Sequence, residues 1–264
     1  MEISKSLLDR YYGDFDIERF KAVDPCGVVY KLIEHLDNED SRTVDIYSGT
    51  ICNRQLDIEL GGLFVAMISW GSRKVIYPTA LRMIGEEMCW HPSRFILNRE
   101  YLDSYKKAKN DCVYRTLNVH TFKSVCDNVY NALSSISLHP LTLESYFAGQ
   151  STKSVISTLC KWLSPAKVGT MDNSACKRMC MYVRWMTRRD SPDLGIWLSR
   201  SCSDLYAVLD VHVCDLTREL LGGRRPSWQT CVALTDIFKS WDPIDPLKYD
   251  VALMTLSDRL ESKS

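Results

Sequence analysis

The sequence predicts an all-α fold, and two observations support this prediction. Apolar residues recur at steps of three and four through most of the chain, whereas apolar and polar residues never alternate over more than four or five positions. The connections between the periodic segments, such as 190–203 and 222–227, are short and polar, as in compact helical proteins. We therefore expect helices packed on helices, with no sheet of any size.

Three helices are expected in the first half of the chain. In segment 53–70, apolar residues fall on one wide helical face: Leu56, Leu60, Leu63, Phe64, Met67 and Ile68. Segment 72–88 continues as a second helix after Gly71, and segment 119–136 forms a third after the turn-prone Asn118.

Five further helices are expected in the second half, at 153–163, 174–189, 211–221, 228–241 and 247–260. The last two are separated by the sequence DPIDP, whose prolines end one helix and begin the next. Internal repeats and low-complexity segments are absent from the sequence.

Composition is typical of a globular protein of 264 residues, with 45% hydrophobic and 25% charged residues, and a chain of this length can bury a large core. The eleven cysteines are odd in number and show no C-x-x-C spacing, which predicts a reduced, cytoplasmic protein. No export signal is visible, and the longest apolar stretch, 60–70, is too short to cross a bilayer. We therefore expect no membrane association.

Charge is distributed unevenly, although the net charge is zero. Residues 1–60 carry 13 acidic and 7 basic side chains, whereas residues 61–264 carry 20 acidic and 26 basic ones. The basic part is able to face an anionic partner such as nucleic acid. Ordinary surface variation explains the same distribution, so charge alone leaves both interpretations open.

The helix predicted at 174–189 carries Lys177 in its first turn. At roughly 100° per residue, Arg184 and Arg188 fall within about 20° of Lys177, away from the apolar stripe. The positive end of the helix macrodipole disfavours a protonated amine, and a lysine nucleophile needs a neutral one. The alternative is a solvated surface lysine, which is the usual state of this residue.

Asp210 lies directly before the helix predicted at 211–221, in the sequence LDVHV. Aspartate is a good N-cap, because its carboxylate accepts hydrogen bonds from free backbone amides of the first turn. An aspartate held in this way stays ionised and rigid, so a capping role and a catalytic role are compatible.

Four segments carry a resemblance to a known family: FVAMISWGSRKVI, CKRMCMYVRWMTRRDSPDLGIW, LDVHV and SWQTCVALTDIFKSWDPIDPLKYDVALMTL. They resemble successive blocks of a bacterial family that is labelled only as a domain of unknown function. That family is similar to the helix-hairpin-helix DNA glycosylases, most of all to their archaeal 8-oxoguanine branch. In those enzymes a lysine opens the helix after the hairpin, and an aspartate lies in an LDTHV or VDTHV sequence.

The resemblance implies one helix-hairpin-helix glycosylase-like domain over 1–264, with a cleft between two helical lobes, 1–140 with the C-terminal helix and 141–240. Lys177 becomes the nucleophile and Asp210 the essential carboxylate of a base-excision glycosylase and abasic-site lyase that needs no cofactor or metal. The implied partner is damaged DNA, duplex or single-stranded, with an oxidised purine such as 8-oxoguanine. The implied location is the bacterial nucleoid.

Further contacts are implied by the same resemblance. Asp250 would recognise the edge of the base, with stacking from Met254, Met181 and Trp70, and the DNA backbone would be held by Gly169, Arg184 and Arg188. This chain departs from the family pattern at three places. The hairpin sequence PAKVGTMDNSA has one glycine, Val211 replaces the usual threonine, and the stacking positions 181 and 254 are methionines rather than aromatic residues.

Two other functions stay open at this point. A non-catalytic helical module that binds nucleic acid or a protein would explain the single-glycine hairpin and the zero net charge. An N-glycosidase acting on a modified base in RNA or on a nucleoside would explain the hairpin as well. A zinc site formed by Cys176, Cys180 and His212 is a weaker alternative to small core cysteines, because both cysteines lie on the apolar stripe.

Overall fold

The computed structural model describes residues 3–38, 53–104, 111–135 and 141–261. The described residues are mostly helical, as predicted, with these α-helices in chain order: α1 (Lys5–Gly13), α2 (Ile17–Val23), α3 (Cys26–Asn38), α4 (Arg54–Ile68), α5 (Arg73–Arg82), α6 (Pro92–Leu97), α7 (Val119–Ser134), α8 (Leu143–Tyr146), α9 (Thr152–Trp162), α10 (Lys177–Thr187), α11 (Val211–Leu216), α12 (Trp228–Trp241) and α13 (Lys248–Glu261). A small antiparallel hairpin joins β1 (Cys112–Tyr114) to β2 (Leu117–Asn118).

All eight predicted helices are present, and three of them begin or end more than two residues from their predicted bounds. The helix expected at 72–88 is α-helical only to Arg82 and continues as a π-helix over Met83–Glu87. The helix expected at 174–189 begins only at Lys177, because Cys176 has a left-handed backbone with φ of 52° that cannot continue a helix. The helix expected at 211–221 ends at Leu216 and is followed by turns. Ile136, the end of the third predicted helix, lies outside the described residues.

Several elements were not predicted from the sequence, namely α1, α2, α3, α6, α8 and the short hairpin. Most of these helices have fewer than ten residues, so their apolar stripes are too short to show a clear period. The hairpin pairs only a few residues, and it does not change the helical class.

The described chain forms two compact units. The first contains Met1–Phe20, Ser151–Cys160 and Gly169–Ser264. In this unit α1 packs along α13 through the fully buried Leu8. Ion pairs flank that contact, from Arg259 to Asp14 at 2.9 Å and from Lys248 to Asp9 at 3.6 Å.

The second unit contains Lys21–Gln150 and Lys161–Val168, and α4 is its central helix. Residues 56–68 of α4 are all buried, including two carboxylates. Asp57 accepts a hydrogen bond from the backbone amide of Ser93 at 2.7 Å, and Glu59 accepts one from that of Glu144 at 3.0 Å. The buried acids therefore stabilise the first turns of α6 and α8, where backbone amides lack helical partners.

Within the described ranges, no helix combines the length and the hydropathy needed to span a membrane. The two lobes and the cleft expected from the resemblance stay a prediction.

Candidate active site

Lys177 is the first residue of α10, and a tight turn brings the chain to it. At Gly169 a Cβ atom would lie 2.4 Å from Cβ of Ser174, so no other residue fits there without displacing its neighbour. The turn is closed by a hydrogen bond from the backbone amide of Thr170 to Oδ1 of Asn173 at 3.0 Å. Close packing within the turn is thus a sufficient reason for glycine at 169, and the predicted contact with DNA stays a prediction.

Asp210 and Lys177 meet in the structure, although 33 residues separate them in sequence. Lys177 Nζ donates a hydrogen bond to Asp210 Oδ2 at 2.6 Å, and the backbone amide of Val213 donates to Oδ1 at 2.9 Å. Asp210 therefore caps α11 and pairs with the lysine at the same time. The two side chains are 38% and 25% exposed, so solvent or a ligand can reach both.

The environment of Asp210 favours its charged form. Burial by itself raises the pKa of the carboxyl, but the charge of Lys177, its hydrogen bond and the amide of Val213 together lower the pKa below its ordinary value. The exposed His212 adds a weaker effect in the same direction. Asp210 is consequently a carboxylate over the whole physiological range of pH.

The extended segment before Asp210 is fixed by side chains of α12 and α13. The backbone amide of Ala207 donates to Oγ1 of Thr235 at 2.9 Å, and its carbonyl accepts from the thiol of Cys231 at 3.2 Å. The backbone amide of Val208 donates to Oδ2 of Asp250 at 2.9 Å. These contacts hold the chain rigidly up to the residue that meets Lys177.

Asp250 lies inside the protein rather than at an open surface. It is 6% exposed, Oδ2 is occupied by Val208, and Oδ1 is buried without a hydrogen-bond partner among the described residues. Burial raises the pKa of this carboxyl to about 6, against the opposing effect of Arg184, whose Nη1 lies 3.8 Å from Oδ2. The predicted contact with the edge of a base does not fit this position, because neither oxygen is accessible.

Arg184 and Arg188 are also buried, which corrects the prediction that they hold DNA phosphates. Arg184 is 4% exposed and pairs with Asp193 at 3.1 Å. Arg188 is fully buried and pairs with Asp193 at 3.2 Å and with Asp245 at 2.9 Å. Both guanidinium groups already donate to carboxylates inside the protein, and neither is exposed. Neither arginine is therefore available to bind a phosphate. The basic stripe predicted on α10 is an interior network of ion pairs.

The three predicted stacking residues occupy different settings. Met181 is half-buried on the face of α10 that carries Lys177, one turn further along, and Met254 is half-buried one turn after Asp250 on α13. Trp70 belongs to the second unit and is 37% exposed, with the guanidinium of Arg115 lying 4.8 Å from the centre of its ring. A stacking role stays a prediction for all three residues.

Several residues that shape this site were not singled out from the sequence: Asp193, Asp245, Thr235 and Cys231. The only available signal was the abundance of acids in DSPD and DPIDP, close to a helix that carries two arginines. From sequence alone, a short acidic segment is interpreted as a solvated turn, because nothing in it shows that its carboxylates pair with an arginine. Its pairing with a buried arginine depends on the tertiary fold.

Metal binding finds no geometric support in the described part of the chain, where no group of three or more His, Cys, Asp or Glu side chains is placed to hold an ion. His212 is exposed, whereas Cys176 and Cys180 are buried. The alternative of small core cysteines therefore describes these two residues better than a zinc site.

Comparison with known proteins gives one family. Residues 49–258 match the family described as "Protein of unknown function (DUF2400)". The chain belongs to this family. The match covers all four segments that carried the resemblance to a bacterial family of unknown function. No curated protein and no solved structure matches the chain, so the further likeness to DNA glycosylases is a matter for proposal.

Proposed function

We propose that this protein is a base-excision enzyme, a DNA glycosylase with abasic-site lyase activity, with Lys177 as nucleophile and Asp210 as its carboxylate partner. The contact of 2.6 Å between the two partly exposed side chains supports this proposal best. Each residue stands at the start of a helix and is held by the local backbone. An amine and a carboxylate fixed in contact at an accessible point are the minimum set for a Schiff-base mechanism.

The reaction needs Lys177 as a neutral amine, and in the free protein its Nζ donates a hydrogen bond to Asp210. In the proposed step the lysine proton passes to the departing base, the bond from the sugar C1′ to the base nitrogen breaks, and the amine nitrogen forms a bond to C1′. Ring opening then gives a Schiff base, from which loss of a proton at C2′ breaks the bond from C3′ to oxygen and cuts the strand. No cofactor or oxidant enters this balance.

Asp210 has two tasks in this scheme. Its carboxylate stabilises the positive charge that develops at C1′ while the base departs, and it later assists the proton transfers at the Lys177 nitrogen. A carboxylate whose pKa is lowered suits the first task, because it keeps its negative charge near a growing positive one. The fixed segment before Asp210 limits reorganisation during the reaction.

The proposed substrate is an oxidised purine in DNA, such as 8-oxoguanine, with the base taken out of the stack before reaction. Met181 and Met254 are candidate neighbours of such a base. Since Arg184 and Arg188 are buried, the exposed Arg224 and Arg225 are better candidates for phosphate contacts. They follow Gly222 and Gly223, which end the turns after α11 with positive φ.

The deciding experiment is borohydride trapping on duplexes that contain 8-oxoguanine or an abasic site. Wild-type protein is expected to give a covalent adduct with DNA, and Lys177→Gln is expected to give none. Lys153→Gln is the matched control, because Lys153 is an exposed lysine in the first turn of α9. Absence of any adduct with wild-type protein, or equal trapping by wild type and Lys177→Gln, would overturn the proposal.

A second candidate is an N-glycosidase that acts on a modified base in RNA or in a nucleoside. The burial of Arg184 and Arg188 favours it, because a small or single-stranded substrate needs fewer phosphate contacts than a duplex. For the non-catalytic module, the same observation favours binding of a protein over binding of nucleic acid, because a protein partner needs no phosphate contacts. Binding of duplex DNA, single-stranded DNA and RNA, each measured across a salt series, separates these candidates, since the salt dependence reports the number of phosphate contacts.

A further inference from the structure

A stack of a cationic and an aromatic side chain lies at the surface of the second unit, where the β1–β2 hairpin meets the end of α4. The guanidinium carbon of Arg115, in the hairpin turn, lies over the Trp70 ring at 4.8 Å from its centre. The Tyr114 ring meets the Trp70 ring edge-on at 5.8 Å, and the Tyr114 hydroxyl donates a hydrogen bond to the Trp70 carbonyl. Arg115 and Trp70 are exposed, whereas Tyr114 is buried. We call Trp70 and Arg115 the stacking platform.

The local backbone allows the guanidinium to reach Trp70. At Gly71, which has a φ of 97°, a Cβ atom would lie 2.6 Å from Nη2 of Arg115, so a side chain there would displace the arginine. Arg115 itself has a φ of 51°, a left-handed conformation that glycine and asparagine adopt more readily than arginine does. The turn therefore gives no reason for an arginine at 115, whereas the position of its side chain over Trp70 does.

Contacts inside the second unit hold the hairpin in place. Val113 and Leu117, on its two strands, are buried in the core. The Arg82 guanidinium donates a hydrogen bond to the Val113 carbonyl at 3.4 Å, and the Cys112 thiol donates one to the Arg115 carbonyl at 3.3 Å. The stacking platform is therefore preformed, and a ligand does not have to order it.

The positive charge at the stacking platform is not neutralised by the protein. Within the part of the chain that the structure describes, neither Arg115 nor the exposed Lys74 has a carboxylate partner. Lys74 lies three residues after Gly71, in the first turn of α5, and that turn contains no acidic residue. The positive end of the α5 dipole adds to the same charge. The platform thus combines flat side chains with an unpaired positive charge, which suits a ligand that is both flat and anionic.

We propose that the stacking platform binds an unpaired nucleobase of single-stranded nucleic acid, with the base stacked against Trp70 and Arg115 and the adjoining phosphate held by Arg115 and Lys74. Nucleobases stack on aromatic rings and on guanidinium planes, and every base has a flat face to offer. Arginine keeps its charge at all physiological pH values, and its N–H donors suit phosphate oxygens. The inference concerns the second unit alone, and it holds whether or not Lys177 catalyses base excision.

Single-stranded nucleic acid fits the platform better than two other anionic partners. In a duplex the bases stack on one another, so their flat faces are not open to a protein side chain. An acidic peptide brings negative charge to Arg115 and Lys74 but no flat ring beside each charge, and it would leave the exposed part of Trp70 without a use. An unpaired nucleotide uses the aromatic side chain and the positive charge together.

The test separates stacking from simple charge attraction by comparing two strands with the same phosphates. Fluorescence anisotropy measures the affinity of the full-length protein for oligodeoxythymidine and for a strand of equal length made of abasic tetrahydrofuran units. Wild type is expected to bind the thymidine strand more tightly. Arg115→Lys keeps the charge and removes the flat guanidinium, so it should weaken binding of the thymidine strand by roughly tenfold and leave binding of the abasic strand unchanged. Oligouridine is measured alongside, and the tighter of the two base-containing strands identifies DNA or RNA as the source.

Arg54→Lys is the matched control for these measurements. Arg54 is an exposed arginine of the same unit, and it pairs with Asp37 at 2.6 Å. This variant should bind both strands as wild type does. The proposal is overturned if wild type binds no single strand, if Arg115→Lys leaves both affinities unchanged, or if it weakens both strands equally. It is also overturned if Arg115→Lys reduces the affinity for oligoglutamate instead, which would indicate a protein partner.

Photo-crosslinking locates the bound base in wild-type protein and does not depend on any variant folding. A strand that contains 5-iodouracil is irradiated with the folded protein, and tryptic peptides are read by mass spectrometry. The expected adduct is on QLDIELGGLFVAMISWGSR, whose exposed aromatic residue is Trp70, because Phe64 in the same peptide is fully buried. Adducts confined to other peptides would show that single strands bind elsewhere and would overturn the proposal. Failure of borohydride trapping at Lys177 would leave this result unaffected, so the two proposals are tested separately.

Discussion

The backbone amide of Val208 donates a hydrogen bond to Asp250 at 2.9 Å, and this contact ties α13 to the segment that presents Asp210. The acceptor is a buried carboxyl whose other oxygen has no partner among the described residues. A charge buried in this way is costly unless it is fully paired. Asp250 therefore helps to position Asp210, and protonation of its carboxyl affects the stability of the folded protein.

Protonation of Asp250 should make the stability of the protein depend on pH. Burial raises the pKa of this carboxyl from 3.8 to about 6, so the folded protein binds the proton more tightly than the unfolded chain does. Stability contributed by the neutral form is therefore lost as pH rises from about 4 through 6, by up to about 3 kcal/mol. Asp250→Asn cannot titrate. Urea denaturation at a series of pH values measures the free energy of unfolding of both proteins. We expect the value for wild type minus that for Asp250→Asn to decrease as the pH rises from about 4 to 6.

Asp236→Asn is the control for that measurement, because Asp236 is an exposed carboxylate of the neighbouring α12. The difference between wild type and Asp236→Asn should stay nearly constant between pH 4 and 7, since an exposed carboxylate has a similar environment in both states. A flat difference for Asp250→Asn as well would show that Asp250 is not a buried carboxyl.

Lys177→Gln should raise the pKa of Asp210. In wild-type protein the charge of Lys177 and its hydrogen bond oppose the effect of burial on that carboxyl, and glutamine removes the charge. The carboxyl carbon of Asp210, followed by NMR during an acid titration, should then titrate at a higher pH than in wild type. Lys153→Gln should leave the Asp210 titration unchanged. An identical titration in wild type and Lys177→Gln would show that the two residues are not in contact.

The sequence was most informative where one apolar stripe decides the structure. The pattern of α4 and α12 locates these helices to within about two residues, because burial of a continuous face needs no knowledge of the partner. The start of α10 was missed, since the left-handed conformation of Cys176 is imposed by the turn before it. The pairing of Lys177 with Asp210 followed from the resemblance alone, because a contact across 33 residues leaves no local pattern.

The arginines of α10 show the opposite outcome. Periodicity places Arg184 and Arg188 on the face of Lys177, and in the structure Arg184 lies within α10 whereas Arg188 directly follows its last residue with an extended backbone. Whether such a face meets water or acidic side chains is decided by other segments of the chain, here the turn after α10 that carries Asp193 and the distant segment that carries Asp245. A basic stripe read from one helix therefore does not by itself indicate a surface for nucleic acid.

Arg188→Met should destabilise the protein strongly. The side chain is fully buried, and its loss leaves Asp245 without the charge of Arg188 and Asp193 with Arg184 alone, which costs about 3 to 5 kcal/mol for a broken buried pair. Arg218→Met is the matched control, because the Arg218 side chain is 70% exposed and its ion pair with Asp215 lies on the surface. The control should change stability by less than about 1 kcal/mol in urea denaturation. Equal, small effects of both variants would contradict the buried network.

Asp210→Asn should separate binding from chemistry if base excision is the function. Asparagine keeps the shape of the side chain and is itself a good N-cap, so α11 and the affinity for substrate DNA should be preserved. The charge that stabilises the developing cation is lost, and base release from an 8-oxoguanine duplex should fall by about a hundredfold or more in single-turnover assays. Asp215→Asn, an exposed aspartate of the same helix, should leave both properties unchanged. A wild-type rate of base release in Asp210→Asn would remove Asp210 from the mechanism, even if Lys177 still forms a trapped adduct.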